Sequence, residues 1–204
     1  MTPTVPQPRS SPDAVPGSAD AALARRYAKE LGWATAGRNP LHLLTGVRFD
    51  VLELPAEAGH AVLRRGVRTG PVLLSGTRMG LLVAAGGADE LPGLLDWLEW
   101  GPVALDLTAV GAGGRVAAPP LPGAPGASPG AAVWLRPPEP RRAPEPVLPA
   151  LAGFGSSGGD APDLVRLVDA AATECHRVRL SCARSGVPTG VLTRGTADQP
   201  LAFS

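Results

Sequence analysis

The sequence predicts an α+β fold: a small mixed or antiparallel sheet with flanking helices, a long C-terminal helix and disordered tails. Three observations predict it. Short apolar runs bounded by glycine and proline recur between residues 41 and 135, as buried strands do. Between them, leucines, valines and alanines return every three or four residues, the period of a helix packed on one side. The 26 glycines and 24 prolines make up about a quarter of the 204 residues, so much of the chain is loop or disorder, and most of the prolines collect near the ends and in two internal stretches that cannot build packed elements.

Composition limits the function classes. Apolar residues make up 44% of the chain and aromatic residues only 4%, so the core is built from Leu, Val and Ala. The net charge of +1 gives no global field to recruit nucleic acid or a membrane surface. Of the 19 basic residues only Lys29 is a lysine, a skew that reads as coding bias. Two cysteines, Cys175 and Cys182, are too few for a disulfide framework or a zinc knuckle. No secretory signal pattern opens the sequence, and no apolar run approaches the roughly 18 to 20 residues that span a bilayer. The expectation is a cytoplasmic, reduced protein with no membrane contact.

Taken in order, residues 1–18 hold five prolines and read as a disordered arm. A domain follows over 19–138. Ser18 or Asp20 can cap a helix over 20–31, with Leu23, Tyr27 and Leu31 inward, Arg25, Arg26 and Lys29 outward, and Gly32 as its stop. Residues 41–54, LHLLTGVRFDVLEL, read as two short strands or one strand broken at Gly46. Asp50 and Glu53, three positions apart, point to opposite faces of such a strand. His42 reads as a structural histidine. Pro55 suits the first turn of a helix that carries Ala58, Val62 and Leu63 inward, ends at Gly66 and has Arg64, Arg65 and Arg68 near its C-terminus.

Strands are expected at 71–74 and 79–85, joined by the turn SGTR. Asp89 then caps a helix to Leu98, with Pro92 in its first turn and Leu91, Leu94, Leu95 and Leu98 inward. Trp97 and Trp100 are expected to pack on the sheet; a base-stacking role requires their exposure. The stretch 101–120, GPVALDLTAVGAGGRVAAPP, reads as strand, glycine turn, strand, with Asp106 set between leucines. A carboxylate in such a run is costly to bury without a partner, and alternatively it faces water. After a Pro/Gly loop, 131–135 reads as an edge strand.

Residues 139–160 form a Pro/Gly/Ser-rich linker containing GFGSSGG. That motif fits both a dinucleotide turn and a hydrolase elbow, but no strand precedes it, and Asp160 and Asp163 crowd the helix start that a phosphate needs. Over 161–184, Leu164, Leu167, Val168, Ala171, Cys175, Val178 and Cys182 form one apolar helix face. Seven residues of helical rise keep the two thiols about 10 Å apart, too far to bridge. Residues 185–204 read as a flexible tail.

Five segments in this order carry a resemblance: AALARRYAKELGW, TGVRFDVLELP, PVALDL, GGRVAAPP and AVWL. Together they resemble the bifunctional DNA primase/polymerase N-terminal (prim-pol) domain of the archaeo-eukaryotic primase superfamily. The resemblance covers roughly residues 20–138 and implies a primase-like fold. It implies acidic residues holding divalent Mg or Mn, with Glu53 at the first position and Asp106 at the third. The second acid of the family pattern falls on Pro55, and the family's histidine falls near Gly80. Asp50, three residues before Glu53, does not replace the missing acid. The stretch between the first helix and the acidic strand is also shorter than in the family.

These departures imply a degenerate prim-pol domain without polymerase activity. It would retain weak nucleotide or nucleic-acid binding or act as a regulatory scaffold. Two alternatives remain open. One is an active metal-dependent nucleotidyltransferase, of primase/polymerase type, in which Glu53 and Asp106 with Asp50 suffice as metal ligands. The other is an unrelated α+β interaction module whose protein partner lies against helix 161–184.

Overall fold

The computed structural model describes residues 16–123, 130–139, 148–151 and 163–185. The expectations for the N-terminal arm, the GFGSSGG motif at 153–159 and the C-terminal tail lie outside these residues. The elements run α1 (Pro16–Arg26) with one wider π turn (Tyr27–Leu31), β1 (Thr35–Ala36), β2 (His42–Leu44), β3 (Asp50–Pro55), α2 (Ala56–Arg64), β4 (Val72–Ser75), β5 (Arg78–Val83), α3 (Gly87–Trp97), β6 (Thr108–Val110), β7 (Arg115–Ala117), β8 (Val133–Arg136) and α4 (Leu164–Arg184).

Two antiparallel sheets form from these strands. The larger has the order β6-β3-β5-β4-β8, and the smaller β1-β2-β7. The centre of the larger sheet is the β3/β5 ladder, in register from Asp50↔Val83 to Pro55↔Arg78. Alternation along β3 divides its residues between two cores. Leu52 and Leu54 join Met79, Leu81 and Val83 under α2, α3 and α4. Val51, with Leu73 and Leu82, faces α1 and the small sheet. The protein is thus three-layered: helices, five-stranded sheet, then small sheet with α1.

The second core holds nearly all the buried aromatic surface. Trp33 lies 4.4 Å from Phe49 and 6.1 Å from Tyr27, ring centre to ring centre. The Tyr27 hydroxyl donates to Pro119 O at 2.6 Å and accepts from Trp134 Nε1 at 3.0 Å. Burial is the main cause that raises the Tyr27 phenol above its ordinary range.

Several expectations hold: the break at Gly46, the β4–β5 hairpin, the inward residues of α2 and the edge strand β8, which pairs only with β4. Gly46 sits at φ 90°, and a Cβ there would lie 2.2 Å from Ala112 Cα, so two chain segments cross where only glycine fits. The long helix also forms, starting at Leu164 with the Asp163 carboxylate accepting from Val165 N at 2.9 Å. Its apolar face docks: Leu164, Leu167, Val168, Ala171 and Cys175 are buried against the sheet and α2. That part of the face, from Leu164 to Cys175, is covered by the domain itself, while Val178 and Cys182 are half-buried.

Other boundaries differ. The first helix starts at Pro16, so neither Ser18 nor Asp20 caps it; Asp20 instead accepts from Asn39 N at 2.6 Å. Pro55 ends β3 and is the N-cap of α2 rather than a residue of its first turn. Helix α3 starts at Gly87, before Asp89, which places Pro92 in the helix interior. Trp97 does not pack on the sheet and is 71% exposed, whereas Trp100 packs on the helix-side core. The stretch 101–120 is not one strand pair. Residues 101–107 are turn and coil, and β6 and β7 belong to different sheets.

Candidate functional site

The face of the large sheet that carries Val51 is covered by the aromatic core at one end only. At the other end it presents Glu53, Arg78 and, just outside β6, Asp106. Glu53 lies opposite Gly80 on β5 and opposite Thr108 on β6. The strand bearing Glu53 and the segment leading from Asp106 into β6 are therefore neighbours.

Arg78 joins them. Its Nη1 donates to Asp106 Oδ1 at 2.6 Å, and its Nη2 donates to the backbone carbonyl of Glu53 at 3.2 Å. Asp106 is not buried among leucines; its side chain is 56% exposed, while Leu107 beside it is in the core. The Asp106 backbone is anchored on the other side, its carbonyl accepting from Cys175 Sγ at 3.6 Å. The Glu53 carboxylate makes no hydrogen bond or ion pair with a described residue.

Asp50 lies apart. Three positions from Glu53, it points to the helix side and is 1% exposed. Its Oδ2 accepts from Gly86 N at 2.8 Å and Ala88 N at 3.0 Å, the amides of the N-cap and of the second residue of α3. A carboxylate there satisfies orphan donors and complements the helix dipole. Asp50 takes the capping role that the sequence assigns to Asp89, and its position on the opposite face removes it from any ligand set with Glu53 and Asp106.

The position of the family histidine is closed as well as empty. Gly80 is buried, and a Cβ there would lie 2.9 Å from Leu73 Cγ and Val51 Cγ1. Among the described residues no group of three or more His, Cys, Asp or Glu is placed to hold a metal ion. Two-metal phosphoryl transfer needs carboxylates clamping both ions. The residues present do not fit that arrangement, because one acid of the pair already holds a guanidinium.

The remaining candidates are structural. Burial, reinforced by the Asp106 charge, pushes the Cys175 thiol up to about 12 and keeps it protonated. That removes the nucleophile from the Cys175–His176 pair. The His176 ring lies 5.7 Å from Trp100, and its buried Nδ1 has no hydrogen-bond partner among the described residues. His42 sits on the small sheet, on a different element from Glu53, Arg78 and Asp106. The sequence reading missed Arg78, which it placed in a turn. Only the pairing of Arg78 with Pro55, fixed by the hairpin register, brings it to the acids. No family profile matches the chain, and neither the curated proteins nor the solved structures contain a match to it.

Proposed function

We propose that this protein is a prim-pol-like domain that has lost polymerisation and works by binding, as a nucleotide- or nucleic-acid-contacting module or a regulatory scaffold in the cytoplasm. One observation carries the reading: the Arg78 guanidinium bridges Asp106 and the Glu53 backbone at the acidic end of the sheet. An arginine is a permanent cation that cannot coordinate phosphate oxygens and a nucleophile as a divalent ion does. The absence of an acid at Pro55 and of a side chain at Gly80 supports the same conclusion.

Primer extension and thermal shift with Mn²⁺ and nucleoside triphosphates test it. The expected result is no extension and no joint metal-nucleotide stabilisation in the wild type. In Arg78→Ala the Asp106 carboxylate is released beside the uncommitted Glu53 carboxylate, and a weak Mn²⁺-dependent shift emerges. Mn²⁺-dependent incorporation by the wild type, abolished in Asp106→Ala, would establish the active nucleotidyltransferase instead.

A further inference from the structure

Charge is divided unevenly over the surface, with α3 acidic although α2 and α4 beside it carry arginines. No Lys or Arg occurs between Arg78 and Arg115, a span that contains all of α3. The outward side of α3 and its end carry Asp89, Glu90, Asp96 and Glu99, all exposed. None of the four makes an ion pair with a described residue. Trp97, exposed to 71%, stands among them. Glu90, Gly93 and Trp97 follow helical spacing along one side, and the space where a Gly93 side chain would project is open. An exposed indole ringed by carboxylates is a surface that recognises a cation with a flat or apolar stem, above all arginine.

The small sheet with α1, on the far side of the five-stranded sheet, has the opposite character to α3. Arg25, Lys29, Arg38 and Arg115 are exposed there and make no ion pair with a described residue. Leu43 and Val116 point into the aromatic core, so their strand neighbours His42 and Arg115 face outward. The small residues Ala36 and Ala117 flank His42 in register and keep that sheet face low. The two carboxylates of this layer are engaged, Asp20 with Asn39 N and Glu30 with Arg26.

We infer that these two surfaces are partners in different copies of the chain: the acidic, Trp97-bearing face of α3 in one copy docks on the basic small-sheet layer of the next. Each surface presents four unpaired charges of one sign, and the five-stranded sheet stands between them within a single copy. Two different patches meet, so the contact is head-to-tail and continues into a ring or a chain of copies. An apolar anchor ringed by complementary charge gives both orientation and a salt-dependent association rate.

The test is sedimentation equilibrium of the purified full chain across ionic strength. At about 0.01 M, where the Debye length is about 30 Å, the average mass rises with concentration above that of one copy; at about 1 M, where it is about 3 Å, the mass returns to one copy. Trp97→Ala weakens association about fivefold or more, the value of a well-placed cation–aromatic contact. Glu90→Arg with Asp96→Arg, and separately Arg38→Glu with Arg115→Glu, each give a single copy at low salt. Mixing the two reversed proteins restores association, because reversed surface meets reversed surface and intact meets intact, and both pairings are attractive. A wild type that stays a single copy at low salt overturns the inference, as does association that survives the reversals or is not restored by mixing. If an oligoarginine peptide binds a wild type that does not self-associate, and fails to bind Trp97→Ala, the face serves a basic partner and the self-docking inference falls.

Discussion

Asp50 decides how α3 is attached. Its carboxylate satisfies two amides that start a helix 36 and 38 residues further along the chain. Asp50→Ala leaves those donors without their partner in a buried corner, and urea denaturation should show a loss of about 1–3 kcal/mol. Asp50→Asn keeps an acceptor oxygen and should recover part of that loss. The sequence could not reveal this role, because a cap is sought within a few residues of the helix start and this one comes from a strand. For Asp106 the reading that it faces water holds, and only its partner was hidden. Its leucine neighbours suggested burial, yet only they turn inward, and its own partner comes from a hairpin. The opposite faces of Asp50 and Glu53, in contrast, were legible, because strand alternation needs no tertiary information.

At the scale of elements, what was legible was what short-range periodicity and turn chemistry determine. Helices α2 and α4 and the β4–β5 hairpin have their inward residues at regular spacing and glycine at the turn. What was not legible was pairing: β6 and β7 follow one another around a glycine turn as a hairpin would, and then pair with β3 and β2 in separate sheets. The contact of α2 with the sheet depends on one absent side chain. A Cβ at Gly59 would lie 2.9 Å from Met79 Cβ and within 2.2 Å of its Sδ. Gly59→Ala forces the helix outward or Met79 from its rotamer, and outweighs the gain in helix propensity. The expected net cost is about 1–3 kcal/mol, read as a lower midpoint in chemical denaturation.

For the molecule as a whole, both cores contain an acid held in its neutral form: Tyr27 on the small-sheet side and Cys175 on the helix side. The thiol moves from an ordinary value of 9.0 to about 12, and the phenol moves upward from 10.0. Once pH exceeds 9.0 the unfolded chain binds fewer protons than the folded one, so stability falls as pH rises. The contribution is fully present below pH 9.0 and is lost progressively toward pH 12. Thermal melts across this range should show midpoints dropping from about pH 9 upward, and Cys175→Ala should flatten part of that slope. Cys175 should resist alkylation by a maleimide below this range, while the less buried Cys182 reacts.

The docking of α4 also has a consequence in time. The helix that completes the helix-side core is fully synthesised only roughly 100 residues after β5, the strand it helps to cover. At a synthesis rate of roughly 5–20 residues per second, that interval lasts about 5–20 s. Throughout it, the nascent sheet displays Leu52, Leu54, Leu81 and Val83 with only α2, and later α3, to shield them. A growing chain in that state exposes apolar surface and unpaired edges to misassociation, and its vulnerability ends only when α4 leaves the exit tunnel.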